Sequence, residues 1–151
     1  MRIRPYSPAD WSRLCEIHDA ARKQELRLSG LIEAFLTLEQ TAEAEGLFEA
    51  TILVAEEDTE VRGFAAYTVD ELTWLYVDPR YFRQGIGRSL LRAAVEAAPN
   101  PLSLEVLAGN EAALSLYLDE GFIITRQVSG KLAGNESFPA TANLLSYQGN
   151  S

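Results

Sequence analysis

The sequence predicts a mixed α/β fold in which a run of antiparallel hairpins meets one β-α-β crossover, in the order β-α-α-β-β-β-α-β-α-β-β. Three observations carry this expectation. Short β-prone runs bounded by turn signals fill the segment from Thr51 to Val77. Two helical periodicities, 85–98 and 110–120, alternate with strand-like runs at 102–107 and after Gly121. The 151 residues contain no repeat, low-complexity tract or linker-like stretch, which reads as one domain over 1–151.

In chain order, residues 1–6 alternate Ile3 with arginines and read as a short strand. Ser7 as N-cap and Pro8 at the first helical position then open a helix. Its Trp11, Leu14, Cys15, Ile17 and Ala21 recur at helical spacing, and it ends before Gly30. A second helix is expected over 31–45, with Leu31, Phe35 and Leu38 on one side and Gly46 as its stop. Strands follow at 51–56, 61–69 and 72–77, the first two joined by the acidic turn 57–60. The helix 85–98 buries Ile86, Leu90, Leu91, Ala94 and Val95 and is ended by Pro99-Asn100-Pro101. With the strand 102–107 it completes the crossover, which implies a parallel pair with 72–77. Asn110 caps a last helix, Gly121 stops it, and strands 122–128 and 141–147 flank a loop holding Gly130 and Gly134.

Composition narrows the function classes. No apolar run is long enough to span a membrane, and Arg2 and Arg4 have no apolar segment behind them to make a signal peptide. The single cysteine, Cys15, rules out an internal disulfide, so a reducing cytoplasmic location is expected. Beside Leu14 and Ile17 it reads as a buried thiol rather than a nucleophile. His18 is the only histidine and reads as structural or surface, and one His with one Cys gives no metal site. A hydrolase triad lacks its Gly-x-Ser-x-Gly turn. The net charge of −9 argues against nucleic-acid and anionic-membrane partners. Yet Arg80, Arg83, Arg88 and Arg92 fall within a stretch that contains no acid, which points to a bound anion.

That stretch holds the informative motif. A strand ending at Val77 leads through Asp78-Pro79 to a glycine-bearing loop and an amphipathic helix. Gly85 and Gly87 lack a Cβ, so a ligand can approach their backbone N–H groups closely. Those donors lie where a helix begins, unpaired and at the positive end of the macrodipole, which suits a pyrophosphate. Arg83, Gln84, Gly85, Ile86, Gly87, Arg88 and Ser89 form the expected binding stretch, the arginines adding charge-assisted bonds. A Rossmann fingerprint would need a third glycine where Leu90 stands, and a Walker A loop would need glycine at Phe82 and lysine at Arg88. A helix that merely begins with glycines is the plain alternative.

The motif resembles the acetyl-CoA-binding motif of the GNAT superfamily of N-acetyltransferases, Gln/Arg-x-x-Gly-x-Gly/Ala after a strand. Gly85 and Gly87 match; Phe82 stands where the family has Arg or Gln, a side-chain contact that the neighbouring Arg83 is placed to replace. A second stretch, Asn110, Ala113, Tyr117 and Gly121-Phe122, resembles the family's other cofactor-side motif. The element order matches the family fold as well. The resemblance implies acetyl-CoA as acetyl donor without a metal, an amine acceptor that attacks the thioester directly, and the dimerisation common among relatives. Asn110, Ala113 and Tyr117 would contact the cofactor, and the Tyr117 hydroxyl would protonate the departing thiolate; a core aromatic is the alternative reading of Tyr117. The backbone N–H groups around Tyr76 and Val77 would hold the oxyanion. Glu71, at the start of the strand before the loop, would be the general base, directly or through a water; a solvated charge beside Asp70 is its alternative.

The acceptor is expected between the N-terminal helices and the closing strands, with Ser129 to Glu136 as a lid or contact. Glu33, Glu39, Glu43, Glu45 and Glu49 lie on that side, which suggests a cationic amine or else a solvated acidic face. A non-catalytic acyl-CoA-binding or sensor domain is the alternative from another class: Phe82 favours it, and Glu71 and Tyr117 disfavour it.

Overall fold

In the computed structural model, which describes residues 1–149, the first four strands pair in chain order. β1 (Arg2–Pro5), β2 (Thr51–Glu57), β3 (Glu60–Tyr67) and β4 (Leu72–Val77) form one antiparallel sheet. The β2–β3 hairpin turns through Asp58 and Thr59, whose positive φ angles of 52° and 64° match the right-handed twist of the flanking strands. Alternation divides the residues of β3 between two faces. Phe64 and Ala66 meet Leu14 and Ile17 of α1 (Trp11–Leu28), while Ala65 meets Leu90 and Leu91 of α3 (Ile86–Ala97). At Gly63 a Cβ would come within 3.1 Å of Ile86, Leu90 and the Tyr76 carbonyl, so this glycine lets the start of α3 sit close on the sheet. Thr73 is the extra residue of a β-bulge, since Trp74 pairs with Ala66 and Leu72 with Tyr67. The bulge sends Leu72 to the α3 face and Trp74 to the α1 face.

A second antiparallel sheet has the order β5 (Ser103–Leu107), β7 (Asn135–Tyr147), β6 (Phe122–Leu132), with α4 (Glu111–Asp119) between β5 and β6 in the chain. The parallel β4–β5 pair expected from the crossover is reduced to one bridge, Glu71 with Ser103. Ser103 N–H donates to the Asp70 carbonyl (2.8 Å) and Asn100 N–H to the Val69 carbonyl (3.2 Å), which stitches this end shut. Beyond it the strands part, because α3 packs chiefly on β2, β3 and β4, whereas β5 is held in register by β7. A cleft therefore opens toward the C-terminal ends of β4 and β5.

Two expected elements differ. Only a 3₁₀ turn (Ile32–Ala34) and one helical turn, α2 (Leu38–Thr41), occupy the segment read as a helix over 31–45. Thr37 and Gln40 form a capping box that starts a new helix (Gln40 N–H to Thr37 Oγ1 at 3.2 Å, Thr37 N–H to Gln40 Oε1 at 2.8 Å). Leu31 and Phe35 join Leu26 and Leu132, whereas Leu38 joins the cluster around Phe64. The apolar spacing thus serves two cores and not one helix face. The loop expected around Gly130 and Gly134 is the paired end of the long β6–β7 hairpin, whose turn holds Gly134 at φ 89°.

Candidate active site

The glycine loop follows β4 and is held at its root by Asp78. Its carboxylate accepts from Arg13 (2.5 Å) and from Arg80 (2.9 Å), and it also accepts from the Arg80 N–H (3.0 Å). Burial opposes the charge, but the bonds from Arg80 and Arg13 prevail and hold the carboxyl well below the usual carboxylate range. Beyond it Arg83 and Gly85 take positive φ, 64° and 80°, and Gly85 caps α3 without a side-chain bond. Among the described residues, the backbone N–H groups of Arg83 to Arg88 donate to no protein acceptor. Six consecutive amides at the positive end of a helix therefore remain open to an anion. A Cβ at Gly87 would only touch Val77 and Leu116 at 3.6–3.7 Å, so the protein itself does not require glycine there and the open side is left for a ligand.

The arginine cluster is not a free basic patch. Arg88 and Arg92 both bind the Glu120 carboxylate, Arg92 at 2.8 Å, and Arg80 is held by Asp78. Of the four, only Arg83 has no such partner among the described residues. Arg88, expected at the anion, ties α3 to the end of α4 through Glu120. Ile86 enters the core and offers only its amide; Gln84 and Phe82 are exposed, and Ser89 is half-buried.

Strand pairing decides which β4 amides face the cleft. Asp78 N–H bonds to the Arg62 carbonyl (2.8 Å), and the register pairs Val77 with Gly63 and Tyr76 with Phe64. By antiparallel alternation the Tyr76 amide also faces β3, whereas the Val77 N–H points out of the free edge. Tyr76 therefore enters the site by its side chain. Its ring packs edge-on against His18 at 5.0 Å, and its hydroxyl donates to Glu25 Oε1 at 3.2 Å.

On the opposite bank, Asn110 caps α4, accepting the Ala113 N–H at 3.4 Å and donating to Glu25 Oε2 at 3.3 Å. Tyr117 lies one turn beyond Ala113, 8% exposed and edge-on to Phe122 at 5.7 Å. Its hydroxyl has no hydrogen-bond partner among the described residues. Burial, aided by the charge of Glu25, pushes its pKa well up, so the phenol keeps its proton. Both earlier readings meet here: the ring is core, and the hydroxyl is left over.

A cavity of about 480 Å³ opens between α1, β4, β5 and the β6–β7 hairpin. Glu25, Glu45, Glu71 and Glu105 line it, against Arg22 and Lys131. Burial raises the pKa of Glu71, and Glu105 and Asp70 add to the rise. Of the glutamates expected from the segment 31–49, only Glu45 reaches the cavity. His18, which the sequence left as structural or surface, is buried and faces it, and burial lowers its pKa. Glu25 and Arg22 escaped the sequence reading, and Glu105, which stands roughly where a ribose-binding acid of the Rossmann alternative would, lines this cavity instead. The signal for the first two lay in α1, where His18, Arg22 and Glu25 recur at helical spacing as a polar stripe beside Leu14, Ile17 and Ala21. Cys15, expected as a buried thiol, is half-buried, and burial pushes the thiol up to about 11.

The profile of the Acetyltransferase (GNAT) family matches residues 11–122, from the start of α1 through the cleft to the first residue of β6. The chain belongs to the GNAT family. An L-amino acid N-acyltransferase of Escherichia coli, MnaT, is 29% identical over 85% of this chain and 83% of its own. The ribosomal-protein-alanine N-acetyltransferase of Brucella melitensis superposes with a TM-score of 0.72 at 26% identity, covering 97% of this chain and 98% of its own. The PaiA N-acetyltransferase of Thermoplasma acidophilum, solved with coenzyme A, superposes with a TM-score of 0.74 at 21% identity over 97% of both chains. The GNAT fold expected from the element order is thus present. In it the two sheets meet at Glu71–Ser103 and part beside the unpaired amides of the glycine loop.

Proposed function

We propose that this GNAT protein binds acetyl-CoA in the cleft between β4 and β5 and transfers its acetyl group to a primary amine held in the glutamate-lined cavity. The observation that carries this reading is the run of unpaired amides from Arg83 to Arg88 at the mouth of a cleft with Glu71 at its closed end. The amides of the loop and first turn suit the pyrophosphate, with Arg83 as the side-chain contribution. Asn110, Ala113 and Tyr117 border the other bank. Acetyl-CoA supplies an activated thioester, and direct attack by an amine needs no metal.

The chain's own groups then have separable tasks. Glu71 takes the proton that an ammonium acceptor must lose, and its raised pKa makes it a better base than an exposed glutamate. The Val77 N–H, facing the cleft, donates to the carbonyl oxygen as negative charge develops there. The amine nitrogen forms the C–N bond as the C–S bond breaks, the Tyr117 hydroxyl protonates the departing thiolate, and the second proton shed by the nitrogen passes through solvent to restore the phenol.

Glu45, Glu71 and Glu105 in the cavity, beside a Glu25 already paired with Arg22, support an acceptor with positive charge. A second reading, an amino acid acceptor, draws support from Arg22 and Lys131 as carboxylate ligands and from the similarity to an L-amino acid N-acyltransferase. A set of diamines, amino acids and short peptides incubated with acetyl-CoA, with acetylated products read by mass spectrometry, separates the two. Acetylated diamines are expected. Acetylation of amino acids alone reverses the choice, and binding of acetyl-CoA without any product supports the sensor alternative.

A further inference from the structure

Beyond the Glu71–Ser103 bridge, β4 and β5 share no backbone ladder among the described residues, yet one side chain spans the open end. Glu25 of α1 accepts from the Tyr76 hydroxyl (3.2 Å) through Oε1 and from Asn110 Nδ2 (3.3 Å) through Oε2. Arg22 pairs with the same carboxylate from one turn away. Tyr76 belongs to the first sheet. Asn110 follows β5 in the second and caps the helix that carries Tyr117. A single carboxylate is therefore bonded to both banks of the cleft at the end where the sheets are not stitched.

We propose that Glu25 is a positioning residue for acetyl transfer, a clasp that sets the separation of β4 from α4 and so the reach from the Val77 amide to the Tyr117 hydroxyl. The proposal rests on the reading that the acyl group enters this cleft. Glu25 is not needed to hold α1 in place: Leu14 and Ile17 are fully buried, and Arg13 donates to the Val61 carbonyl at 2.8 Å. Nor is it needed to seat Tyr76, whose ring is already packed between His18 and Phe64. What the carboxylate adds is direction. It accepts from Asn110 Nδ2, which leaves the Asn110 oxygen to cap the Ala113 N–H; a flipped amide would set two acceptors against each other. Acyl transfer is sensitive to displacements of about 1 Å, which can lower the rate on the order of 100-fold.

The test compares the unsubstituted protein with Glu25→Ala, Glu25→Gln and the double variant Glu25→Gln/Asn110→Asp. Acetyl-CoA affinity is read by calorimetry, folding by thermal melting, and kcat and KM by amine-dependent thiol release. Glu25→Ala is expected to lower kcat on the order of 10- to 100-fold, with acetyl-CoA affinity within a few-fold and the fold intact. Glu25→Gln keeps an acceptor for Tyr76 but sets an amide donor against the Asn110 amide, so it is also slow. The double variant inverts that bond: the amide at position 25 donates to the carboxylate at position 110, which still caps α4, and kcat recovers most of its loss. An unchanged kcat in Glu25→Ala overturns the clasp. So does a raised acceptor KM at constant kcat, which would make Glu25 an acceptor ligand, or a double variant no faster than Glu25→Gln. Failure of the unsubstituted protein to bind acetyl-CoA overturns instead the reading on which the clasp depends.

Discussion

Glu71 and Glu105 face one cavity from neighbouring strands, Glu105 lying two residues beyond the Ser103 to which Glu71 is bridged. Burial first, and then the charge of Glu105, raises the pKa of Glu71. A base must be deprotonated to act, so a raised pKa means that activity is lost on acidification at higher pH than for an ordinary glutamate. Glu105→Gln removes the repulsion and lowers the Glu71 pKa, so the acid limb of the kcat/KM profile for the acceptor moves down by a fraction of a pH unit. Glu71→Gln removes that limb and lowers kcat/KM on the order of 100-fold. Steady-state rates between pH 5 and 9 check both; an unmoved limb in Glu105→Gln shows that the two carboxylates are not coupled.

Tyr117 separates packing from chemistry within one side chain. Tyr117→Phe keeps the edge-on contact with Phe122 and leaves no orphaned partner, because the hydroxyl has none among the described residues. The melting temperature is expected to stay within a few degrees and acetyl-CoA affinity to hold, while kcat falls on the order of 100-fold. Because burial and Glu25 raise the phenol's pKa, no fall in rate from its ionisation is expected below about pH 10.

The two loop glycines are expected to respond differently. Gly85 has φ 80°, so Gly85→Ala strains the backbone and destabilises by about 1 kcal/mol, although its Cβ meets no protein atom within 4 Å. At Gly87 the added Cβ makes only ordinary contacts with Val77 and Leu116, so Gly87→Ala leaves stability near that of the unsubstituted protein. Acetyl-CoA affinity, read by calorimetry, falls about ten-fold in the latter, the equivalent of about 1.4 kcal/mol. Equal affinity would mean that the ligand does not pass over this turn.

Asp78 anchors the root of the loop through Arg13 and Arg80. Its depressed pKa contributes stability that is complete above the unfolded value near 4 and is lost as pH falls toward the folded value. Asp78→Ala leaves Arg13 without this partner and is expected to destabilise by about 3 kcal/mol at neutral pH. Denaturant melts are then expected to show a shallower loss of stability below about pH 4.

Much of this is legible in the sequence because it rests on local signals. The β2–β3 hairpin, the stripe Ile86, Leu90, Leu91 and Ala94, and the Asn110 cap all stand where periodicity and turn chemistry put them. What escaped the sequence is what depends on two distant segments meeting. Leu31, Phe35 and Leu38 imitate one helix face because both clusters they join are apolar, and only the Thr37–Gln40 capping box betrays the break. Spacing cannot show that Arg88 meets Glu120, 32 positions away. Nor can it show that Glu25 meets Asn110 across 85 positions. Strand alternation, which turns the Val77 amide toward the cleft and the Tyr76 amide toward β3, needs the register as well as the sequence.

Amine-dependent thiol release from acetyl-CoA tests the central claim most directly. Acetyl transfer requires that free coenzyme A appear with the chain, acetyl-CoA and an amine together, and not when any one is omitted. The rate is expected to be highest with a doubly cationic amine and to fall on the order of 100-fold in Glu71→Gln. Tight binding of acetyl-CoA with no release above background for any amine would contradict transfer and leave a cofactor-binding domain in its place.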